Sequence, residues 1–264
     1  MKAKYFLPAA LIGLSGALVS CEDDGTVKLG PRVDIISPTG TATANAGGTV
    51  SVEVSASTND KLETFVLDSR FGGFTSTLID STLDNGTTSY TFTGEVPAAT
   101  SAGTQFLDFT FTDNKDGSTT KTLEVNVLDL GADANGQVWN VRGPNKGAYD
   151  LVGDSAVAAS VTDLIKDLQD QTGNDLLFTP QWSSNNNTEF VRDNSLNFDS
   201  ASLQDVVDAY NNGTPSATTP VLLNGDVIIA SNARFPKGYV LIRVDQVSNT
   251  PADNLDNITF TYKK

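Results

Sequence analysis

The chain has 264 residues, of which 32 are acidic and 17 basic, giving a formal net charge of −15 at pH 7. That balance argues against nucleic acid and anionic lipid headgroups as partners, because both require clustered Lys and Arg. There is no histidine, the one methionine is Met1 and the one cysteine is Cys21, which excludes Ser-His-Asp and Cys-His triads and removes the usual zinc ligands.

Residues 1–20 read as a cleaved export signal. Lys2 and Lys4 form a short basic start, and residues 6–19 are nearly all apolar or small. That run is too short for a stable membrane span. Leu18-Val19-Ser20-Cys21 resembles the lipobox of bacterial lipoproteins, a resemblance that implies acylation of Cys21 and attachment to the outer membrane. Several acyl chains on one residue anchor firmly, at about 0.8 kcal/mol per buried methylene. Residues 21–31 form an acidic linker. Its Glu22-Asp23-Asp24 cluster resembles the surface-export signal of Bacteroidota lipoproteins and implies a protein facing the cell exterior. Without Lys2 and Lys4 the mature chain keeps 15 basic against 32 acidic residues. With no cysteine free to form disulfides, each domain has to bury its own core.

Residues 32–128 read as an all-β domain. Val50, Val52 and Val54 alternate with polar residues, as do Leu107, Phe109 and Phe111, and then Leu123, Val125 and Val127. This is the period-two pattern of half-buried strands. Further strands are expected at 32–36, 62–67 and 89–96. Asp113-Asn114-Lys115-Asp116-Gly117 supplies a turn that closes a hairpin. Six or seven short strands in such a span indicate a β-sandwich. The segment from Phe109 to Val127, with Ile36-Ser37-Pro38 and Ala46-Gly47-Gly48-Thr49-Val50 at the start, resembles bacterial Ig-like and cadherin-like domains. That resemblance implies a spacer or adhesion module without catalysis.

Residues 129–136 are small and polar and read as a linker. Residues 137–264 read as an α+β domain, an antiparallel sheet with two short helices. Val161, Leu164, Ile165 and Leu168 are spaced as one helical face, with Ser160 or Thr162 as cap and Gly173 as terminator. Leu203, Val206, Val207 and Tyr210 mark a second helix, capped by Asp199, Ser200 or Ser202 and stopped at Gly213. Strands are expected at 176–178, 189–191, 226–230, 239–247 and 258–262.

This half resembles the C-terminal region of Bacteroidota surface lipoproteins. The residues that carry the likeness are Tyr149-Asp150-Leu151-Val152, Lys166-Asp167, the run from Asn186 to Val191 and the closing stretch from Phe260 to Lys264. A more distant similarity is to HmuY-type haem-binding lipoproteins, whose β-domain also opens with a Tyr/Phe-Asp-Leu stretch. With His absent, Cys21 acylated and Met1 removed, tyrosine is the sole conventional axial haem ligand left.

Calcium is the cofactor the residue types still permit. From Gly131 to Gly136, Asp133 and Asn135 occupy positions 3 and 5 of an EF-type loop and Gly136 position 6, but position 1 is glycine and no Glu stands at position 12. Turns around Asp113 and Asp253 are also rich in oxygen, which ordinary turn chemistry accounts for. A glycosidase needs two facing carboxylates, and no Asp or Glu pair stands out, so no catalytic residue is assigned and an enzyme is not expected. Trp139, Tyr149, Trp182 and Tyr210 offer aromatic faces, and Asn185 and Asn186 follow Trp182 in an amide-rich loop. An aromatic face with planar amides is a common way to hold sugars, while a lone Trp more often anchors a core edge. Ser81, Ser155 and Ser200 each follow Asp, resembling the O-glycosylation acceptor of exported Bacteroidota proteins. Together these features lead us to expect a non-enzymatic surface binding module, with a glycan as the ligand, or else an assembly subunit of an outer-membrane protein complex.

Overall fold

A computed structural model describes residues 29–264 except 175 and 251–252. Among the described residues the fold is mostly β, with several antiparallel sheets and one α-helix. Cys21, Glu22, Asp23 and Asp24 lie outside the described residues.

Eight strands build the first half: β1 Arg32–Ser37, β2 Ala42–Asn45, β3 Thr49–Ser57, β4 Leu62–Phe71, β5 Phe74–Thr82, β6 Ser89–Pro97, β7 Gly103–Asp113 and β8 Ser118–Leu128. They form two sheets, β1-β3-β6 and β2-β8-β7-β4-β5, and the short β2 runs parallel to β8. This is a β-sandwich, two sheets facing each other across one core. The alternation seen in sequence sends Val50, Val52 and Val54 inward from one sheet, and Leu107, Phe109 and Phe111 inward from the other. Phe65 stacks on Phe111 with ring centroids 4.7 Å apart, and burying each such side chain contributes roughly 1.5–3 kcal/mol. At the β7–β8 turn Asp113 Oδ1 accepts from the amides of Lys115 and Gly117, both at 2.9 Å. The β4–β5 hairpin was missed in sequence. Its turn is Gly72-Gly73, both at positive φ, which glycine adopts without steric cost.

The second half contains β9 Ala134–Trp139, β10 Ala148–Asp150, β11 Ser155–Val157, β12 Leu168–Asp170, β13 Trp182–Ser183, β14 Glu189–Arg192, α1 Leu203–Asn212, β15 Val227–Ser231, β16 Tyr239–Ser248 and β17 Asn257–Lys263. The large sheet has the order β14-β15-β16-β17-β9 and the small one β11-β10-β12-β13. Val138, Ile242, Val244, Ile258, Phe260 and Tyr262 of the large sheet meet Tyr149, Leu151, Leu168 and Trp182 of the small sheet in one core. On its other face, Val227, Ile229 and Leu241 pack against Val206 of α1 and Phe198.

Several expectations are corrected. The stretch expected to be linker contains the start of β9: Gly131 N–H donates to the Lys264 carbonyl at 2.7 Å, and Ala134, Asn135 and Gly136 pair with β17. The helix expected around Val161–Leu168 is only a 3-10 turn at Asp163–Ile165. Leu164 is 69% exposed, and Thr162 makes no side-chain cap. Leu168 is instead drawn into β12, and Asp167 N–H donates to the Tyr149 carbonyl at 3.0 Å. Long-range pairing thus overrides a local helical period. No strand forms at 176–178, where Leu176 sits at φ 59° and Leu177 is 65% exposed. The second expected helix forms, with Ser202 as its cap: its side chain accepts from Asp205 N–H while Asp205 reaches back to the Ser202 amide.

Candidate ligand-binding surface

The helix and residues 193–201 cover the large sheet over β14, β15 and part of β16 and reach Lys263 at the end of β17, while the start of β17 and the β9 residues paired with it stay less covered. Strand register fixes what that open face presents. Trp139 pairs with Asn257, which pairs with Ser248, and Gln137 pairs with Thr259, which pairs with Gln246. Directly paired residues point to the same face, so these six side chains form two adjacent rows. None of the six is buried and none is charged. Gln137 Nε2 donates to Asn257 Oδ1 at 2.9 Å, fixing one amide relative to the other.

A third row, Asn135–Thr261–Arg243, closes the grid toward the first domain. Its charge is compensated internally. Arg243 bonds Asp245 and Asp199, both at 3.1 Å, and its guanidinium lies 4.6 Å over the Phe198 ring. A shallow cleft of about 470 Å³ at the β9 edge is lined by Asn135, Gln137, Trp139 and Thr259 and also by Tyr149, Ala156 and Phe260 of the core between the sheets. Gly136 lets the core pack closely beneath the strand. A Cβ there would stand 2.2 Å from the Phe260 ring.

The other aromatic candidates lie in the core. Trp182 is fully buried, edge-on to Phe260 with centroids 5.2 Å apart, so it offers no face to a sugar. Tyr149 is 4% exposed, and its hydroxyl lies 3.3 Å from the hydroxyl of Tyr262. Burial and the hydrogen bond to Asp154 hold the Tyr262 hydroxyl well above the usual range for a phenol. Asn186 is likewise structural: its Nδ2 donates to Asp167 Oδ1 at 2.7 Å and its Oδ1 accepts from Thr188. The fully buried Asp167 also accepts from Arg234 at 2.7 Å and from the Leu151 amide at 2.8 Å. Burial nevertheless raises its carboxyl above the ordinary range. Asn185 alone of that loop's candidates is exposed. Tyr210 packs edge-on to Tyr239, and its hydroxyl donates to Glu189 at 3.2 Å.

The proposed calcium ligands do not converge. Asp133 faces Lys263 at 3.7 Å, while Asn135 is a strand residue 3.0 Å from the Thr261 hydroxyl. Among the described residues no group of three or more acidic side chains is arranged to hold a metal ion. Ser155 and Ser200 are exposed, and Ser81 is half-buried on the edge strand β5. A larger concavity of about 720 Å³ lies between Leu29, Arg32, Asp60 and Lys115. Its cations are already paired, Lys115 with Asp60 at 2.6 Å and Arg32 with Asp34 at 2.7 Å.

Of the grid, only Trp139 and Asn135 were singled out from sequence. Asn257 was read only as part of an oxygen-rich turn, and Gln137, Thr259, Gln246 and Ser248 were missed. The signal was available in the alternation of Asn257, Thr259 and Thr261 with Ile258 and Phe260, read for its polar face as well as its apolar one.

No family model matches this chain, and no curated protein does. Among solved structures, the fibronectin(III)-like modules of Clostridium thermocellum CbhA align at 14% identity and a TM-score of 0.24, over 76% of this chain and 86% of theirs.

Proposed function

We propose that this protein is an outer-membrane lipoprotein, anchored through Cys21 and facing the cell exterior, that binds neutral glycans without catalysis. In this reading the β-sandwich is a spacer and the second domain presents the recognition surface. The observation that carries it is the uncharged grid beside Trp139, in a chain with a net charge of −15. An indole face stacks on the apolar face of a sugar ring, while the Asn, Gln, Ser and Thr side chains exchange hydrogen bonds with its hydroxyls. The neutral rows offer nothing to attract a uronate or sulfated sugar, and the acidic chain repels both.

A glycan array probed with soluble protein from Glu22 onward tests the reading. Binding confined to neutral oligosaccharides supports it. Binding only to acidic glycans, or to none, removes it.

A further inference from the structure

The first domain sets three strands, β1-β3-β6, against five, β2-β8-β7-β4-β5. That imbalance leaves the inward side of β5 uncovered. Leu67 is buried and pairs with Ile79, while Ser69 pairs with Ser76 and Phe71 with Phe74. Directly paired residues share a face, so Phe74, Ser76 and Ile79 look toward the other sheet. Phe74 is nevertheless 83% exposed, Ser76 is exposed and Ile79 is only half-buried. Across the seam, Tyr90 and Phe92 of β6 turn inward to Phe65, with ring centroids 5.9 and 5.2 Å away, and are also half-buried. A cavity of about 290 Å³ opens there between Leu83, Thr87 and Tyr90.

The backbone of β6 is open on the same side. β6 pairs with β3 from Ser89 to Pro97 without a register shift. Just beyond the two ends, Thr88 accepts from the Thr58 amide and the Ala98 amide donates to Gly48, both toward β3. Ladder bonds alternate along an antiparallel pair, so Thr91, Thr93 and Glu95 turn their N–H and C=O groups outward. Among the described residues those groups meet no partner. Proteins blunt such edges with charge, proline or a bulge. β5 has a bulge, with Leu78 unpaired between Ile79 and Thr77. β6 has no such device from Ser89 to Gly94.

We infer that β6 takes up an extended strand of a partner protein, which completes the smaller sheet over β5. Its backbone bonds Thr91, Thr93 and Glu95, and every second side chain is apolar, packing against Phe74, Ile79, Tyr90 and Phe92. Charge selects its flanks. Residues 74–97 hold Asp80, Asp84 and Glu95 with no Lys or Arg, and none of the three is in an ion pair. The neighbouring β3 and β4 add Glu53, Glu63 and Asp68, and their one cation, Arg70, is paired with Asp108. Lys61 is the nearby exception, bonded to Asn85 at 3.3 Å. The strand therefore carries Lys or Arg at its ends. A second copy on this edge would instead set Asp80, Asp84 and Glu95 against their own counterparts. The glycan grid lies in the other domain and shares no residue with this edge.

The test uses soluble protein from Glu22 onward and fluorescent peptides of alternating Val and Thr, flanked either by Lys or by Glu. In fluorescence anisotropy the Lys-flanked peptide is expected to bind about tenfold more tightly. Asp80→Asn with Asp84→Asn should narrow that gap. Thr93→Pro removes an outward N–H and spares the pairing with β3, because an edge strand accepts proline where its N–H faces solvent. It should abolish binding while circular dichroism stays that of the parent. A Lys-flanked peptide N-methylated throughout cannot donate to the edge and should not bind the unaltered protein, which keeps the test decisive even where Thr93→Pro disturbs folding. Binding of the N-methylated peptide, binding that survives Thr93→Pro, equal binding of the two flanked peptides, or no binding of either overturns the inference. Sedimentation that finds a dimer, lost in Thr93→Pro, also overturns it, assigning the edge to a second copy.

Discussion

Asp170 and Trp182 stand directly opposite each other on β12 and β13, and each holds a buried polar atom, Oδ1 and Nε1, with no hydrogen-bond partner among the described residues. Both side chains point between the two sheets. Each unsatisfied group costs about 1–3 kcal/mol, so this corner of the core gives up part of what Trp182 contributes by packing. Trp182→Phe removes the orphaned donor and keeps a ring against Phe260. Trp182→Ala removes the ring itself and should cost about 3–5 kcal/mol. Urea unfolding should therefore find the Phe variant much closer to the parent than the Ala variant. Equal losses would show that the donor carries no penalty.

Asp170 also makes stability depend on pH. Burial is the largest cause raising its carboxyl above the ordinary carboxylate range, with nearby Asp256 adding to it, against donors from Val141 and Thr172. A carboxyl with a raised folded pKa binds its proton more tightly in the native state. Its burial penalty is therefore present at neutral pH and fades as pH falls through that raised value. Asp170→Asn cannot titrate. The parent should gain stability relative to this variant when unfolding is measured at pH 4.5 instead of pH 7. A difference that moves the other way would mean the acid is stabilised in its charged form.

Ser202 caps α1 at the point where that helix meets the first domain. Ser202→Ala should lower the stability of the second domain by about 1 kcal/mol, read as an earlier midpoint in chemical unfolding. An unchanged midpoint would mean that Asp129, bonded to the Leu203 amide, is a sufficient cap alone.

The sandwich was legible because its strands are long and each buries one face, so a period of two runs plainly through Val50–Val54 and Leu107–Phe111. The helix α1 was legible from its own spacing of Leu203, Val206 and Tyr210, while its cap stayed open among Asp199, Ser200 and Ser202 until Ser202 was seen to bond Asp205. The small sheet was not. Its strands are only two or three residues long, too short to show a period, and they are set by partners far away in sequence. The polar cluster around Asp167 gathers Asp150 from β10, Asn186 and Thr188 from the segment before β14, and Asn232 and Arg234 from the turn after β15. No local pattern joins these residues. Trp139 and Trp182 look alike in sequence as aromatic residues beside polar ones. Only the register shows that one lies beside the open grid and the other is closed between two sheets.

The proposed anchor depends on Cys21. Cys21→Ser should move the protein from the membrane fraction to the soluble fraction, or leave it unprocessed. Neutralising Glu22, Asp23 and Asp24 should leave it membrane-bound but protected from protease added to whole cells. A membrane fraction unchanged by Cys21→Ser would remove the anchor. Proteolysis unchanged in the triple variant would remove only the export signal.

The proposed glycan surface is tested most directly by titration calorimetry, using a neutral oligosaccharide selected on the array, with the parent protein and with Trp139→Ala. Losing one aromatic stack is worth about 1.4 kcal/mol, so affinity should fall about tenfold. Trp139 is only half-buried, and the unfolding midpoint should stay close to that of the parent. Unchanged affinity in a folded Trp139→Ala protein would contradict the account.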